Sequence, residues 1–297
     1  MSTMEPDATG AWPNIVPDAI LAHPNFDAAR CRYIDAIIAQ HEYRPGNRFL
    51  LEAGRSAVFF VILCLHAGYD ENDRATWPTK AAVKEAMRAF RLSSPRRIDA
   101  IIARLIDTGF VEAVPCVRDR RAQILTPTQK MLRHDRDWLA IDYEPLKTLF
   151  PSPGYSLAMD HDPDLQKAQR RAGARLFADI ARHRMENPKT MFFARREAGL
   201  LVLMKLLQLG RESPEGVSHP ASFADLGERF GVSRTHIRIV LHDAERIGLL
   251  KMSDRGVILA PELASEFDRF LANQMSENDR LFRAAMSEIG RHSRSKR

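Results

Sequence analysis

Cysteine is scarce in this chain: Cys31, Cys64 and Cys116 are the only three in 297 residues, odd in number and far apart. That usage excludes a disulfide framework and fits a reducing compartment. Long hydrophobic runs are missing too. The longest, Ala57 to Leu65, ends at His66, far short of the roughly 20 apolar residues that a spanning helix needs. No membrane partner is therefore expected. The opening residues MSTMEPDATG have neither a basic n-region nor an apolar h-region, so no signal peptide is expected. No phosphate-cradling glycine loop, zinc-ligand spacing or nucleophile elbow occurs. The expectation is a non-enzyme with no cofactor and no metal. His161, between Asp160 and Asp162, has no second ligand cluster and reads as part of a helix-capping turn. His41 and His183 recur at matching places and read as buried or hydrogen-bonding groups.

What is present is an ordinary globular balance, 45 % hydrophobic and 28 % charged, with a net charge of +6 and a pI near 9.4. The length suggests two domains, and the positive charge gives a weak hint of an anionic partner. The chain also repeats itself. Ile38-Ala39-Gln40-His41 recurs as Ile180-Ala181-Arg182-His183, and Gly68 after one apolar run matches Gly210 after another. Val83, Phe90 and Leu92 match Phe223, Phe230 and Val232. Ser94, Ile98, Ile101 and Gly109 match Ser233, Ile237, Val240 and Gly248, and Leu125 and Pro127 match Leu259 and Pro261. The offset changes only at loops, where indels are tolerated, so the series reads as a duplication.

The expected organisation is a Pro-rich arm (1–24), a first domain (25–136), a linker (137–163) around Pro151-Ser152-Pro153-Gly154, a second domain (164–274), and a polar helix with a basic tail (275–297). The first domain reads as a helix over about 25–43, a buried helix over about 52–66, and helices near 79–90 and 94–108. A hairpin follows, with strands at 110–114 and 122–126 around the charged tip Val117-Arg118-Asp119-Arg120-Arg121. Pro127 is read as opening a closing helix. The second domain repeats the order with helices over 224–230 and 233–247 and a shorter hairpin over 249–260. The basic stretch Asp164–Arg184 reads as one helix with a solvated or phosphate-contacting face. The fold class expected is mainly α with small antiparallel β-hairpins, two tandem winged helix-turn-helix units forming a pseudo-dimer.

In such a motif the second helix enters the major groove. With Ile98, Ile101, Ile102 and Leu105 turned inward, Arg96, Arg97, Asp99, Ala100 and Arg104 face outward, preceded by Arg91 and the cap Ser94. In the second copy Ile237, Val240 and Leu241 face in. That leaves Ser233, Arg234, Thr235, His236, Arg238 and His242 outward. Arginine reads guanine in a bidentate way, and small residues approach thymine methyls. Arg118, Arg120 and Arg121 on the first hairpin, and Arg255 on the second, complete the candidate DNA-binding set, suited to phosphates or a narrow minor groove. Cys116, beside the hairpin, is a candidate redox-sensing thiol, although no resolving cysteine is near.

Asp119-Arg120-Arg121-Ala122 followed by Leu125-Thr126, after a helix that ends at Gly109, resembles the wing of the MarR family of bacterial regulators. The resemblance covers roughly 57–132, and more loosely 200–267. It implies that Arg120 or Arg121 touches DNA, that Asp119 orients an arginine, and that the protein controls transcription in the bacterial cytoplasm, at the nucleoid, usually by repression. Two features depart from the family. The stretch from Asp119 to Leu125 is short, and the second hairpin offers only Asp254-Arg255-Gly256. The chain also carries two units where the family has one per chain in a homodimer. The partners expected are double-stranded DNA read as two unlike half-sites about 10 base pairs apart, with a small-molecule effector and homodimer formation left open. The competing reading is a winged-helix interaction or assembly module without specific DNA binding.

Overall fold

The computed structural model describes residues 14–43, 49–151, 154–213, 217–218, 222–254 and 256–295. Arg255, the first 13 residues of the Pro-rich arm, Ser152 and Pro153 lie outside the described residues. So do the side chains of the basic tail.

The protein is mainly helical with two small antiparallel hairpins. In chain order the elements are α1 (Pro17–Leu21), α2 (Phe26–Tyr43), α3 (Ala53–Ala67), α4 (Lys80–Met87), α5 (Pro95–Asp107), β1 (Val111–Pro115), β2 (Gln123–Pro127) and α6 (Gln129–Leu149). Next come α7 (Ser156–Met159), α8 (Pro163–Ala174), α9 (Phe177–Met185), α10 (Pro188–Ala194), α11 (Gly199–Glu212), α12 (Phe223–Phe230), α13 (Arg234–Arg246), β3 (Leu250–Ser253), β4 (Gly256–Leu259) and α14 (Pro261–Ser295). The order α3-α4-α5-β1-β2-α6 thus recurs as α11-α12-α13-β3-β4-α14.

Local chemistry sets the same boundaries in both copies. Thr79 caps α4 by accepting from the Ala82 amide, and Ser222 caps α12 by accepting from the Asp225 amide. Ser94 and Ser233 cap α5 and α13, accepting from the amides of Arg97 and His236. Pro95 adds a helix-compatible φ at the first position of α5. Gly109 and Gly248 end these helices with φ of +71° and +75°. The hairpins then pair Val111 with Pro127 through Pro115 with Gln123, and Leu250 with Leu259 through Ser253 with Gly256. Pro127 closes β2 rather than opening the next helix. Thr128 starts α6, its hydroxyl accepting from the Met131 amide and donating to the Gly109 carbonyl.

Three further expectations are corrected. The stretch 137–163 is not a plain linker. α6 continues to Leu149 because Leu139, Tyr143, Leu146 and Leu149 form a buried helical stripe, and α7 follows. The basic stretch 164–184 is two helices, α8 and α9, separated at Arg175 and Leu176. Two of its arginines turn inward instead of facing solvent. Arg170 makes a bidentate pair with Asp135 (2.9 and 2.6 Å), and Arg171 donates to the Ala67 carbonyl and pairs with Glu288. The terminal helix does not begin near 275; α14 runs unbroken from Pro261.

The domain boundaries also differ, because the chain packs as two compact units that are not contiguous in sequence. Among the described residues, unit one holds the chain up to Ala29, Val58–Ala181 and the part from Ala272 onward. Unit two holds Arg30–Ala57 and Arg182–Leu271. Long-range polar contacts explain the exchange of segments. In unit two, Arg30 of α2 pairs with Asp268 of α14 (2.7 Å), and Gln208 of α11 donates to Asp35 of α2 (2.6 Å). In unit one, Tyr143 donates to the Asn278 carbonyl (2.6 Å) and Tyr155 to Asp279 (2.7 Å), whose other oxygen accepts from the Ile15 amide and Arg283.

In unit one Asp135 and Arg170 form a buried ion pair, 4 % and 8 % exposed. Burial works against the guanidinium charge. Asp135 more than restores it and holds Arg170 above its ordinary range. Gln166 donates a third hydrogen bond to the same carboxylate (2.7 Å). Replacing Asp135 by Ala leaves that guanidinium buried without its counter-charge and is expected to cost about 3–5 kcal/mol, measured as the shift of a urea unfolding curve. His41 in unit two is buried, its Nδ1 donating to the Ile37 carbonyl (2.8 Å). Burial pulls its basicity below the ordinary 6.5, the carbonyl bond opposing weakly. The folded state therefore favours neutral imidazole, and this stability is present above pH 6.5 and lost as the pH falls through the depressed value. Substituting His41→Gln should flatten the acid limb of stability against pH below 6.5, as read from melting temperatures.

Candidate nucleic-acid interface

The second helix of each helix-helix-hairpin set has one apolar face. On α5 the buried residues are Ile98, Ile101, Ile102 and Leu105. On α13 they are Ile237, Val240, Leu241 and Ala244. At 100° per residue the opposite face of α5 is Arg96, Ala100, Ala103 and Asp107, and that of α13 is Thr235, Ile239, His242 and Arg246. All eight are exposed. These are the same four helical positions in the two copies, carrying different chemistry.

The flanks of α5 complete its surface. Arg97 and Arg104 are exposed on one side. Asp99 lies on the other and forms an ion pair with Lys84 of α4 (3.0 Å), so it neutralises a neighbouring cation rather than presenting a free acceptor. Among the described residues no ion pair engages Arg96, Arg104, Arg120 or Arg121. On α13 Arg234, Thr235 and Arg238 are exposed, but His236 is half-buried, its Nε2 donating to the Glu197 carbonyl (2.8 Å). His236 therefore fastens the start of α13 to its own unit. The Ser94 and Ser233 hydroxyls are engaged as caps. Sequence reading missed Ala103, Asp107, Ile239 and Arg246, although their spacing from the apolar residues places them outward.

The first hairpin is fixed to its unit from below. Trp77, Cys116 and Ile124 are buried together, with Tyr69 and Ala122 packed against them. Cys116 is 2 % exposed, so the expectation of an accessible redox thiol fails; the side chain turns under the hairpin, into this cluster. The Leu125 amide donates to the Pro78 carbonyl (2.9 Å). Arg118 donates to Asn72 (2.8 Å), and Arg74 lies over the Trp77 ring and 3.7 Å from Asp119. Asp119 also accepts from the Arg121 amide (3.1 Å). Asp119 thus shapes the tip through the backbone and pairs with Arg74, a partner the sequence did not suggest. Above this base Arg118, Arg120, Arg121 and the apolar Val117, 83 % exposed, project outward. The second hairpin is shorter and is pinned by mutual backbone bonds between Ser218 and Val257 (2.8 and 2.9 Å).

Arg91 stands apart. It lies in the turn between α4 and α5 with φ of +50°, a left-handed conformation unfavourable for a side-chain-bearing residue. The matching residue of the second copy is Gly231, with φ of +69°. The turn geometry is thus common to both copies, and only the first holds an exposed arginine there at the cost of strain. The second turn is also tighter: a Cβ on Gly227 would come within 2.6 Å of the Val232 carbonyl oxygen.

Among the described residues no helix is long and apolar enough to cross a membrane, and no three His, Cys, Asp or Glu side chains group as metal ligands. His161, with φ of +56°, sits 3.6 Å from Asp137 in the turn before α8, and Asp162 caps that helix. Compared with protein families, with characterised proteins and with solved structures, the chain matches none.

The backbone comparison yields a direct test. Gly231→Ala should cost about 1–2 kcal/mol. Arg91→Gly relieves the same strain, partly offset by the freer unfolded chain, and should stabilise by up to about 1 kcal/mol. Denaturation midpoints of the two variants should move in opposite directions.

Proposed function

We propose that the chain is a sequence-specific double-stranded DNA-binding regulator of transcription, built from two winged helix-turn-helix elements of the MarR kind and acting mainly by repression. The observation that carries this reading is the pairing, in the first copy, of two surfaces. One is a helix whose outward stripe, Arg96, Ala100, Ala103 and Asp107 over a fully apolar inner face, is flanked by the exposed Arg97 and Arg104; the other is a hairpin pinned by Trp77 that displays three exposed arginines. Arginine supplies bidentate donors for guanine, and alanine permits close approach to base edges. Arginines on a hairpin suit the phosphate backbone and the minor groove. The dissimilar outer stripes of α5 and α13 support an asymmetric operator.

A second reading, a docking module that binds protein, draws support from the second copy, where the acidic Asp225 and Glu228 are exposed on α12 and Arg246 of α13 is paired with Asp243 (3.0 Å). The two readings separate on selection from random duplexes followed by titration at several salt concentrations. DNA binding predicts a recovered sequence and affinity that falls steeply with salt. Arg96→Ala with Arg97→Ala should cost about 1–3 kcal/mol per lost base contact and relax the preference at those positions. Arg120→Ala with Arg121→Ala should weaken all duplexes about equally and lower the salt slope by about one per phosphate contact. A chain that enriches no sequence, and whose variants leave duplex affinity unchanged, is not such a regulator.

A further inference from the structure

Ile239 occupies the middle of the outward stripe of α13, one turn beyond Thr235 and one turn before His242. It is 53 % exposed, although a β-branched apolar side chain gains most from burial. It is out of phase with the core residues of its own helix, Ile237, Val240, Leu241 and Ala244, so no demand of packing within the unit accounts for its type. Its neighbours on the surface are polar: Arg238 is exposed beside it, Thr235 and His242 flank it along the helix, and the half-buried Asp243 one turn on is paired with Arg246 and Arg196. An apolar group set within a hydrogen-bonding stripe, with an exposed arginine beside it, matches a surface of hydrogen-bonding edges that carries isolated methyl groups. The major groove of duplex DNA is such a surface, since thymine projects its 5-methyl there among hydrogen-bonding base edges. The corresponding residue of the first copy is the exposed Ala100, also apolar but much shorter. The two copies thus hold an apolar residue at one helical position and vary its reach.

We infer that Ile239 is a specificity-determining residue that recognises a thymine by packing on its 5-methyl group in the half-site read by α13. The inference rests on the DNA-binding reading above and adds to it the base and the chemical group sensed.

Uracil tests it, because it keeps every hydrogen-bonding edge of thymine and lacks only the methyl. The full chain is first used to select a duplex, and specific binding is established by competition with the scrambled sequence. Each thymine of that duplex is then replaced singly by deoxyuridine, and affinities are measured for the native protein and for Ile239→Ala, whose unchanged melting temperature confirms folding. The expected result is one position where uracil weakens native binding roughly fourfold, the value of one buried methyl. At that position uracil has no effect on Ile239→Ala, while positions read by the first copy behave alike in both proteins. A specific complex in which no uracil effect disappears on Ile239→Ala overturns the role of Ile239 and leaves DNA binding intact. Failure to select any duplex overturns the underlying reading instead.

Discussion

A helix of 13 residues that buries four side chains on one face leaves the opposite face with nothing of its own to pack against. On α5 the buried four are Ile98, Ile101, Ile102 and Leu105, each worth roughly 1.5–3 kcal/mol when fully removed from water. Turning the helix by a single position would expose part of that set and push an arginine toward the interior, where an unpaired charge costs several kcal/mol. The rotation of α5 is therefore set by its inner face, and the arginines have no part in setting it. The same holds for α13 with Ile237, Val240, Leu241 and Ala244. Whatever these helices meet outside the protein meets residues whose placement the core has already decided.

The hairpins obey a related rule. A two-stranded ribbon is marginal by itself, so its tip can be held steady only by packing underneath. In the first copy that support is the Trp77, Cys116 and Ile124 cluster, reinforced by Arg118 with Asn72 and by Arg74 with Asp119. The second copy reaches the same end with fewer parts, through the backbone bridge from Ser218 to Val257 and the Met252 amide on Glu245.

Local features of this fold were legible in the sequence, and long-range ones were not. Ser94 as a cap, Gly109 as a helix end and the switch from helices to a hairpin all act within a few residues, and each was found where expected. The exchange of segments between the compact units depends on pairs such as Arg30 with Asp268 and Tyr143 with the Asn278 carbonyl, which no local pattern announces. Arg170 and Arg171 look like part of a solvated run because their partners, Asp135 and Glu288, lie 35 and 117 residues away. The continuation of α6 to Leu149 was readable in principle from Leu139, Tyr143 and Leu146. The Pro-Ser-Pro-Gly signal just beyond it dominated the reading. Ile239 was equally readable, being out of phase with its apolar neighbours.

The differences between the two recurring sets of elements have a physical logic. Inner-face positions are coupled to a packed core and tolerate only similar volumes: Ile98 answers to Ile237 and Ile101 to Val240. Outer-face positions are exposed and belong to no packed core, so Arg96 and Ala100 can stand against Thr235 and Ile239 at little cost to stability. At the turn divergence does carry strain, Arg91 being held at positive φ where the other copy has Gly231. Charge has diverged in the same pattern. Arg96, Arg104, Arg120 and Arg121 in the first copy are uncommitted to ion pairs among the described residues, whereas Arg246 in the second is matched to Asp243. On the DNA reading, that division lets the first copy supply most of the salt-sensitive phosphate affinity. The second copy, with less charge to spend, must rely more on the shape and chemistry of base edges. A β-branched side chain at the centre of its outer stripe suits that task better than another arginine, because its contact energy does not weaken as salt screens the backbone.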